Sequence, residues 1–377
     1  MTGKSLLAAE LSWPQVHAYR LAHHHLSERA PARDLIRVVG DIGGVQAQLM
    51  SAAEMQVGVR VHCTVDDVRA ALWKRKTLVK TWLMRGTLHL VPAADLPLYT
   101  AAMATRCIWM SKSWLKFVGL PEPELMKLVD DIGEALGDRP VTRDELINLV
   151  GKGRSERVRM LLKSGWGGLL KPVARNGLLC FGPNRGQSVT FVRPEAWLGS
   201  WKEVDPEVAL IEVARRYLRA YGPASKHDFA RWWGNWPGVG NAAWAGLAEE
   251  LLPVSIEGHR AEILAADLRH FTEPEHGPSV RLLPAFDPYV LGHRRRDHLF
   301  EAAHSSRVSR AAGWISAVVL IDGRVVATWT HVVVKRNLVV SVEPFSRLPS
   351  GAVVALRARA RELAITLGLA GAQVKVG

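Results

Sequence analysis

Apolar residues along this chain fall first at helical spacing and then at strand spacing, and the alternation recurs. Pro14 to Leu26 keeps a 3.6-residue apolar period, and Ala32 to Val39 resumes it. Thr64 precedes a run through Val68, Leu72 and Trp73, with Asp67 where an acid closes a capping box. Leu78 to Val91 then reads as two strands around a turn at Arg85-Gly86-Thr87. The succession returns after Pro121. Leu125, Leu128, Val129 and Ile132 share one helical face, Thr142 and Glu145 form a second capping box, and a helix is expected within Leu161 to Val173. Asn176-Gly177 then turns into Leu178 to Gly182, and Val189 to Val192 runs back. A third copy begins near Asp205-Pro206, with Val208, Ile211, Ala214, Tyr217 and Leu218 on one face. Tyr221 to Phe229 repeats the turn, cap and helix start. Ala242 to Leu251 predicts a further helix, with strands at Pro253 to Ile256 and Ala261 to Leu264 around Gly258.

Three helices and a hairpin make a winged helix, a relative of the helix-turn-helix. For any single copy a generic α+β packing unit explains the pattern equally well; recurrence in one chain favours the winged helix. The C-terminal region changes character. Val280 to Pro284, Ala317 to Ile321, Arg324 to His331, Lys335 to Val340 and Ala352 to Leu356 read as strands, Asp322-Gly323 as a hairpin turn, and Arg357 to Leu367 as a closing helix. The expected class is therefore α+β: winged-helix units at 1–118, 119–204 and 205–276, then a β-barrel or curled sheet with its helix at 277–377.

Composition narrows the function. The 377 residues hold 49 Lys and Arg against 36 Asp and Glu, a net charge of +13, which points to a polyanionic partner, nucleic acid above all. With 48% hydrophobic and 23% charged residues, the chain is a folded protein and not a disordered one. Cys63, Cys107 and Cys180 lie far apart and form no CxxC pair, which argues against disulfides and a structural zinc. No apolar run is long enough to span a bilayer, and Met1 to Ser12, with Lys4 and the short patch Leu6 to Ala9, lacks the shape of a signal peptide. A cytoplasmic, nucleoid-associated monomer is expected.

Two segments carry candidate chemistry. Gly43-Gly44-Val45-Gln46-Ala47-Gln48 places two neutral amides two residues apart after a glycine pair. On a helix they point to nearly opposite sides; in an extended segment they share a face, and the glycines favour such a break. An amide offers one acceptor and two donors, so two of them can hold a water but cannot take its proton as a carboxylate does. Plain surface polarity is the alternative for so short a motif. Asp41 and Glu54 are rival carboxylates nearby. The second segment, Leu282 to Asp297, runs from a strand through a Pro-containing corner into Arg294-Arg295-Arg296. These arginines suit phosphates, Tyr289 suits stacking or wedging, and Asp287 suits orienting an arginine; a rigid corner with a solvated charge run is the other reading. Arg154, Arg157, Arg159 and Lys163 crowd one predicted helix, as phosphate contacts or as a solvated face. His23-His24-His25 sits on a helix between Leu21 and Leu26, and Trp232, Trp233 and Trp236 read as core. Gly151 to Ser155 lacks P-loop spacing and Gly238 to Gly240 lacks a preceding strand.

Three segments, Val45-Gln46-Ala47-Gln48, Met84-Arg85-Gly86-Thr87-Leu88-His89-Leu90-Val91 and Leu283-Pro284-Ala285-Phe286-Asp287-Pro288-Tyr289, resemble those of the AlkZ-like winged-helix DNA glycosylases. These are bacterial enzymes, some of which protect producers of DNA-alkylating antibiotics. The family signature is Gln, aliphatic, Gln, met here by Gln46, Ala47 and Gln48. The resemblance implies tandem winged helices and a β-barrel in a C-shaped body with a basic concave face. It implies catalysis by Gln46 and Gln48, DNA contact by Arg85, His89, Tyr289, His293, Arg294, Arg295 and Arg296, and no cofactor or metal. The expected substrate is double-stranded DNA carrying purines alkylated at N7 of guanine or N3 of adenine, including bulky adducts and interstrand crosslinks. A winged-helix regulator without catalysis is the competing reading; it would footprint a sequence and release no base.

Overall fold

The computed structural model describes residues 7–105, 111–199, 201–234, 236–273 and 279–377. Cys107, the N-terminal Lys4 and the expected boundary at 276/277 lie outside the described residues. The chain divides into two compact units, one made of residues 1–69 and 214–377, the other of 70–213.

In the first unit a five-stranded sheet runs in the order Val280–Leu283, Val318–Ile321, Arg324–Val334, Asn337–Pro344, Gly371–Val376. The first four strands pair antiparallel, and the last lies parallel to Asn337–Pro344. The first and last strands do not pair, so the expected barrel is an open, curled half-barrel. The tight turn at Lys335 and Arg336, both with left-handed backbone (φ 46 and 63), starts the fourth strand later than expected.

Ala352 to Leu356, expected as a strand, is instead the start of a helix over Ala352–Thr366. The local Val-Val pair mimics a strand, but Leu356, Ala360, Leu363 and Ala364 recur at helical spacing and pack on Val280, Leu338 and Val340 of the sheet. That burial outweighs β-propensity. The true last strand, Gly371–Val376, is missed because only its pairing with a distant strand defines it.

The helix Met50–Gly58 joins the same core through Met55. A Cβ on Gly58 would stand 2.2 Å from Thr366 Cγ2, so the closeness of these two helices requires glycine there. A three-stranded sheet pairs Ala9–Leu11 in parallel with Leu251–Ile256, which pairs antiparallel with His259–Leu264. Its core holds Val16, Tyr19, Val254, Ile256 and Ile263. Trp232 and Trp233 are buried, as read from the sequence.

The second unit surrounds Leu125, Leu128, Val129, Ile132, Leu146, Leu162, Leu170 and Phe191, of which the first four are the face expected from helical spacing. Its helices Glu122–Glu134, Arg143–Val150, Glu156–Lys163 and Leu170–Arg175 precede the hairpin Cys180–Arg185 and Ser188–Val192. Thr142 and Glu145 form the expected capping box, and Thr64 and Asp67 exchange the corresponding bonds (Thr64 N–H to Asp67 2.8 Å) in the first unit. The hairpin Leu78–Trp82 with Leu88–Pro92 places Trp82 against Phe181 at 4.8 Å between ring centroids.

Candidate active site

The helix Leu35–Asp41 stops because two glycines follow it in left-handed backbone, with φ 71 at Gly43 and 90 at Gly44. Gly43 N–H donates to the Gly40 carbonyl at 2.9 Å and Gly44 N–H to the Val39 carbonyl at 2.8 Å, which satisfies orphan carbonyls at the helix end. The chain then leaves extended as Val45–Gln46. The helix break expected from the glycines is present. Ala47 is fully buried, Gln46 is 7% exposed and Gln48 is exposed. Gln46 is thus held in the protein at the edge of solvent, and Gln48 stands outside.

What fixes this segment is a buried polar frame. Gln56 lies on the helix Met50–Gly58, and its Nε2 donates to the Ala285 carbonyl at 2.9 Å and, at 3.4 Å, to the Gln46 carbonyl. One helical turn on, Arg60 Nη1 donates to the Gln56 carbonyl at 2.9 Å. The same guanidinium grips Asp287 in bidentate fashion, at 2.8 and 2.7 Å, and Asp287 Oδ1 also accepts the Tyr289 N–H at 3.0 Å. The corner 285–289 and the amide segment are therefore tied to one helix. Asp287 does orient an arginine, but it is Arg60 and none of the three that follow it. Gln56 and Arg60 went unnoticed in the sequence. Their spacing of four, with Gln56 on an apolar helix and Arg60 just past its end, is the only local signal, and the partners that fix the corner, Ala285 and Asp287, lie more than two hundred residues away.

The rival carboxylates are already committed. Glu54 is buried and accepts from Arg69 Nε at 2.7 Å. Asp41 accepts from Arg37 at 3.0 Å and faces His25 Nε2 at 2.8 Å.

The remaining candidates divide by exposure. Tyr289 is buried and its hydroxyl donates to the Gly323 carbonyl at 3.1 Å, so in this conformation it cannot reach a stacking base. His293 is buried and donates from Nε2 to the Tyr221 carbonyl at 2.8 Å. Burial, with Arg20 nearby, lowers its pKa to about 3, against opposition from Asp228 and from backbone bonds to Tyr221 and Pro223. Arg294 and Arg295 are exposed, and Arg295 pairs with Asp297 at 2.7 Å. Arg296 donates to Ser309 Oγ at 2.9 Å.

In the second unit Arg85 has left-handed backbone (φ 57) at the hairpin turn, and its Nη2 donates to His89 Nε2 at 3.2 Å. His89 is buried and keeps its proton on Nδ1, which donates to the Thr87 carbonyl at 3.0 Å. Burial first, then Arg85, lowers its pKa to about 3. The arginines read as phosphate contacts are largely tied within the fold: Arg154 to Asp131, Arg157 to the Phe117 and Val118 carbonyls, Arg159 to the Gly151 carbonyl. Lys163 is exposed. Of the three successive histidines, His24 is buried, His23 stacks on Tyr19 and His25 faces Asp41.

Comparison with known proteins gives three findings. Residues 39–365 match the family model for DNA glycosylase AlkZ-like proteins. An interstrand DNA cross-link repair glycosylase of Streptomyces sahachiroi is 38% identical over 354 residues, covering 91% of this chain and 94% of that protein. The solved structure of the Streptomyces sahachiroi DNA glycosylase AlkZ superposes with a TM-score of 0.88 at 35% identity, over 98% of this chain and 100% of that one. No described helix is long and apolar enough to cross a membrane.

Proposed function

The chain belongs to the AlkZ-like DNA glycosylase family, and on that premise we propose that it hydrolyses the N-glycosidic bond of cationic alkylated purines in duplex DNA. The substrate class is N7-alkylguanine and N3-alkyladenine, including bulky adducts and interstrand crosslinks. Gln46 and Gln48 position the attacking water. The observation that carries this reading is the glycine-terminated helix that delivers Gln46 extended, at the edge of solvent and braced by Gln56, Arg60 and Asp287.

The chemistry suits amides. Alkylation at N7 or N3 makes the base cationic and already a good leaving group. Departure leaves an oxocarbenium-like sugar, as in other glycoside cleavages. A water held in place needs little base strength, and positioning alone can supply on the order of 7–11 kcal/mol at best. Amide carbonyls aimed at the sugar stabilise its developing positive charge. Gln46 and Gln48 fill these roles without taking the proton; it passes to solvent.

The helix–hairpin units act in this reading as winged helices along the duplex. Arg85, Arg294, Arg295 and Arg296 serve as phosphate contacts, while His89, His293 and Tyr289 support them from within. A bulky adduct fills a groove and resists flipping, whose cost is a few kcal/mol even for a simple base. Recognition through groove shape and lesion charge fits better than base-edge readout. The test is direct: purified protein is incubated with a duplex carrying one N7-alkylguanine, and base release with an abasic site is expected, whereas binding without release would overturn the assignment.

A further inference from the structure

Arg20 is a buried cation without a counter-anion. It is 3% exposed. Its Nε donates to the Gly222 carbonyl at 3.1 Å, Nη2 to the Pro223 carbonyl at 2.9 Å, and Nη1 contacts His298 Nε2 at 2.9 Å. All three partners are neutral, and no carboxylate among the described residues lies within ion-pair distance of it. A guanidinium only donates, so His298 Nε2 accepts and its proton sits on Nδ1. Burying a charge without an opposite charge is unfavourable unless something compensates it.

Arg20 lines a cavity of about 320 Å³ in the first unit, together with Trp13, His298, His259, Arg260 and Arg295. Trp13 stacks on His298 at 4.6 Å between centroids and 5° between planes. His259 stands at 6.2 Å on a tilt. Arg260 and His259 are exposed, and Arg260 makes no ion pair among the described residues. Two carboxylates also line the cavity, and both are engaged. Asp228 accepts from Ser225 Oγ at 2.6 Å and from the Arg294 N–H at 3.0 Å, and Asp297 accepts from Arg295. Three guanidinium groups thus face two carboxylates beside an aromatic wall. The volume matches the lower end of small-molecule sites, roughly 300–1,000 Å³, too large for an inorganic anion alone.

We propose that this cavity binds one nucleotide unit, its base against the Trp13–His298–His259 wall and its phosphate between Arg260 and the field of Arg20. Stacking plus a basic contact is how single nucleotides are held without sequence preference. Neither Gln46 nor Gln48 lines the cavity, so this is a second site beyond the glycosidic one. A structural tie nevertheless joins them: His293, in the cavity wall, donates to the Tyr221 carbonyl, and the Tyr221 hydroxyl donates to the Ile42 carbonyl at 2.9 Å, one residue before Gly43.

The two sources of such a unit, a free nucleotide and a nucleotide within a strand, are separated by titrating the full chain calorimetrically with dAMP, inorganic phosphate and a short oligo-dT. The protein used is Gln46→Ala/Gln48→Ala, so that the result is independent of base release. Saturable one-site binding of dAMP, of oligo-dT or of both is expected, each tighter than phosphate. The loss should be about tenfold in Arg260→Ala, the scale of one charge-assisted contact, with a comparable loss in His259→Ala. Both positions are exposed, so these variants fold. Binding by oligo-dT alone assigns the site to a strand; binding by dAMP at least as well assigns it to the free nucleotide. Equal affinity for phosphate and the nucleotides, no saturable binding by any probe, or affinities unchanged by both substitutions would overturn the proposal.

Discussion

Arg60 and Asp287 stand 227 residues apart in sequence and meet in a bidentate ion pair whose two side chains are both fully buried. The pair joins the helix bearing Gln56 to the corner bearing Ala285, and between them runs the Gln46 main chain. Removing one partner strands the other charge in the interior. Asp287→Ala is therefore expected to destabilise the protein by about 3–5 kcal/mol, read as a lowered urea midpoint. The double variant Arg60→Met/Asp287→Leu should be milder than either single loss, because both charges go together. It will not be silent, since the Tyr289 N–H also loses its acceptor.

Gln56 should matter to rate through position. Gln56→Leu keeps the volume but leaves the Ala285 carbonyl without its donor and frees the Gln46 carbonyl. An unmade buried hydrogen bond costs about 1–3 kcal/mol. Part of that returns, because Gln56 Oε1 has no partner among the described residues. Denaturant unfolding should show a loss at or below that range. Single-turnover base release should slow while DNA affinity stays at the wild-type value; a slowed rate that tracks weakened binding would contradict the positioning role.

The local half of this architecture was legible in sequence. Thr64 with Asp67 and Thr142 with Glu145 are short-range pairs that announce helix starts, and Gly43-Gly44 announces a stop. The buried face of Leu125, Leu128, Val129 and Ile132 follows from spacing alone, whereas Val208, expected on such a face, is exposed. The rest depends on distant partners. Ala9–Leu11 is a strand only because Leu251–Ile256 lies beside it, and Val353-Val354 join a helix only because a sheet covers its Leu356 face. The amide pair and an arginine-orienting Asp287 were visible, but Gln56 and Arg60 were not, since two polar residues in apolar surroundings have no local pattern. Tyr289 and His293 looked like groove residues because sequence cannot tell a buried corner from an exposed one.

Acid should destabilise the fold through its histidines. His17, His89 and His293 are buried with pKa values lowered to about 3, against about 6.5 in the unfolded chain. Between those values the unfolded state binds more protons, so stability falls as pH drops from about 6.5 toward 3. Each histidine contributes at most about 1.4 kcal/mol per pH unit. Urea unfolding across that range should show the slope, and His89→Asn should make it shallower. A stability independent of pH below 6.5 would contradict these burials.

The glycine pair should resist side chains. Gly44 holds φ 90, and a Cβ in left-handed backbone costs about 1–2 kcal/mol. Gly44→Ala is expected to lose that much stability and to displace Val45–Gln46, lowering base release more than the stability loss explains.

The decisive measurement compares wild type with the Gln46→Ala/Gln48→Ala protein on a duplex containing a single N7-alkylguanine, scoring free base and abasic sites while DNA affinity is measured in parallel. If two amides position the water, the wild type liberates the base and the double variant binds the duplex as tightly but releases none. Full release by the double variant would contradict the account.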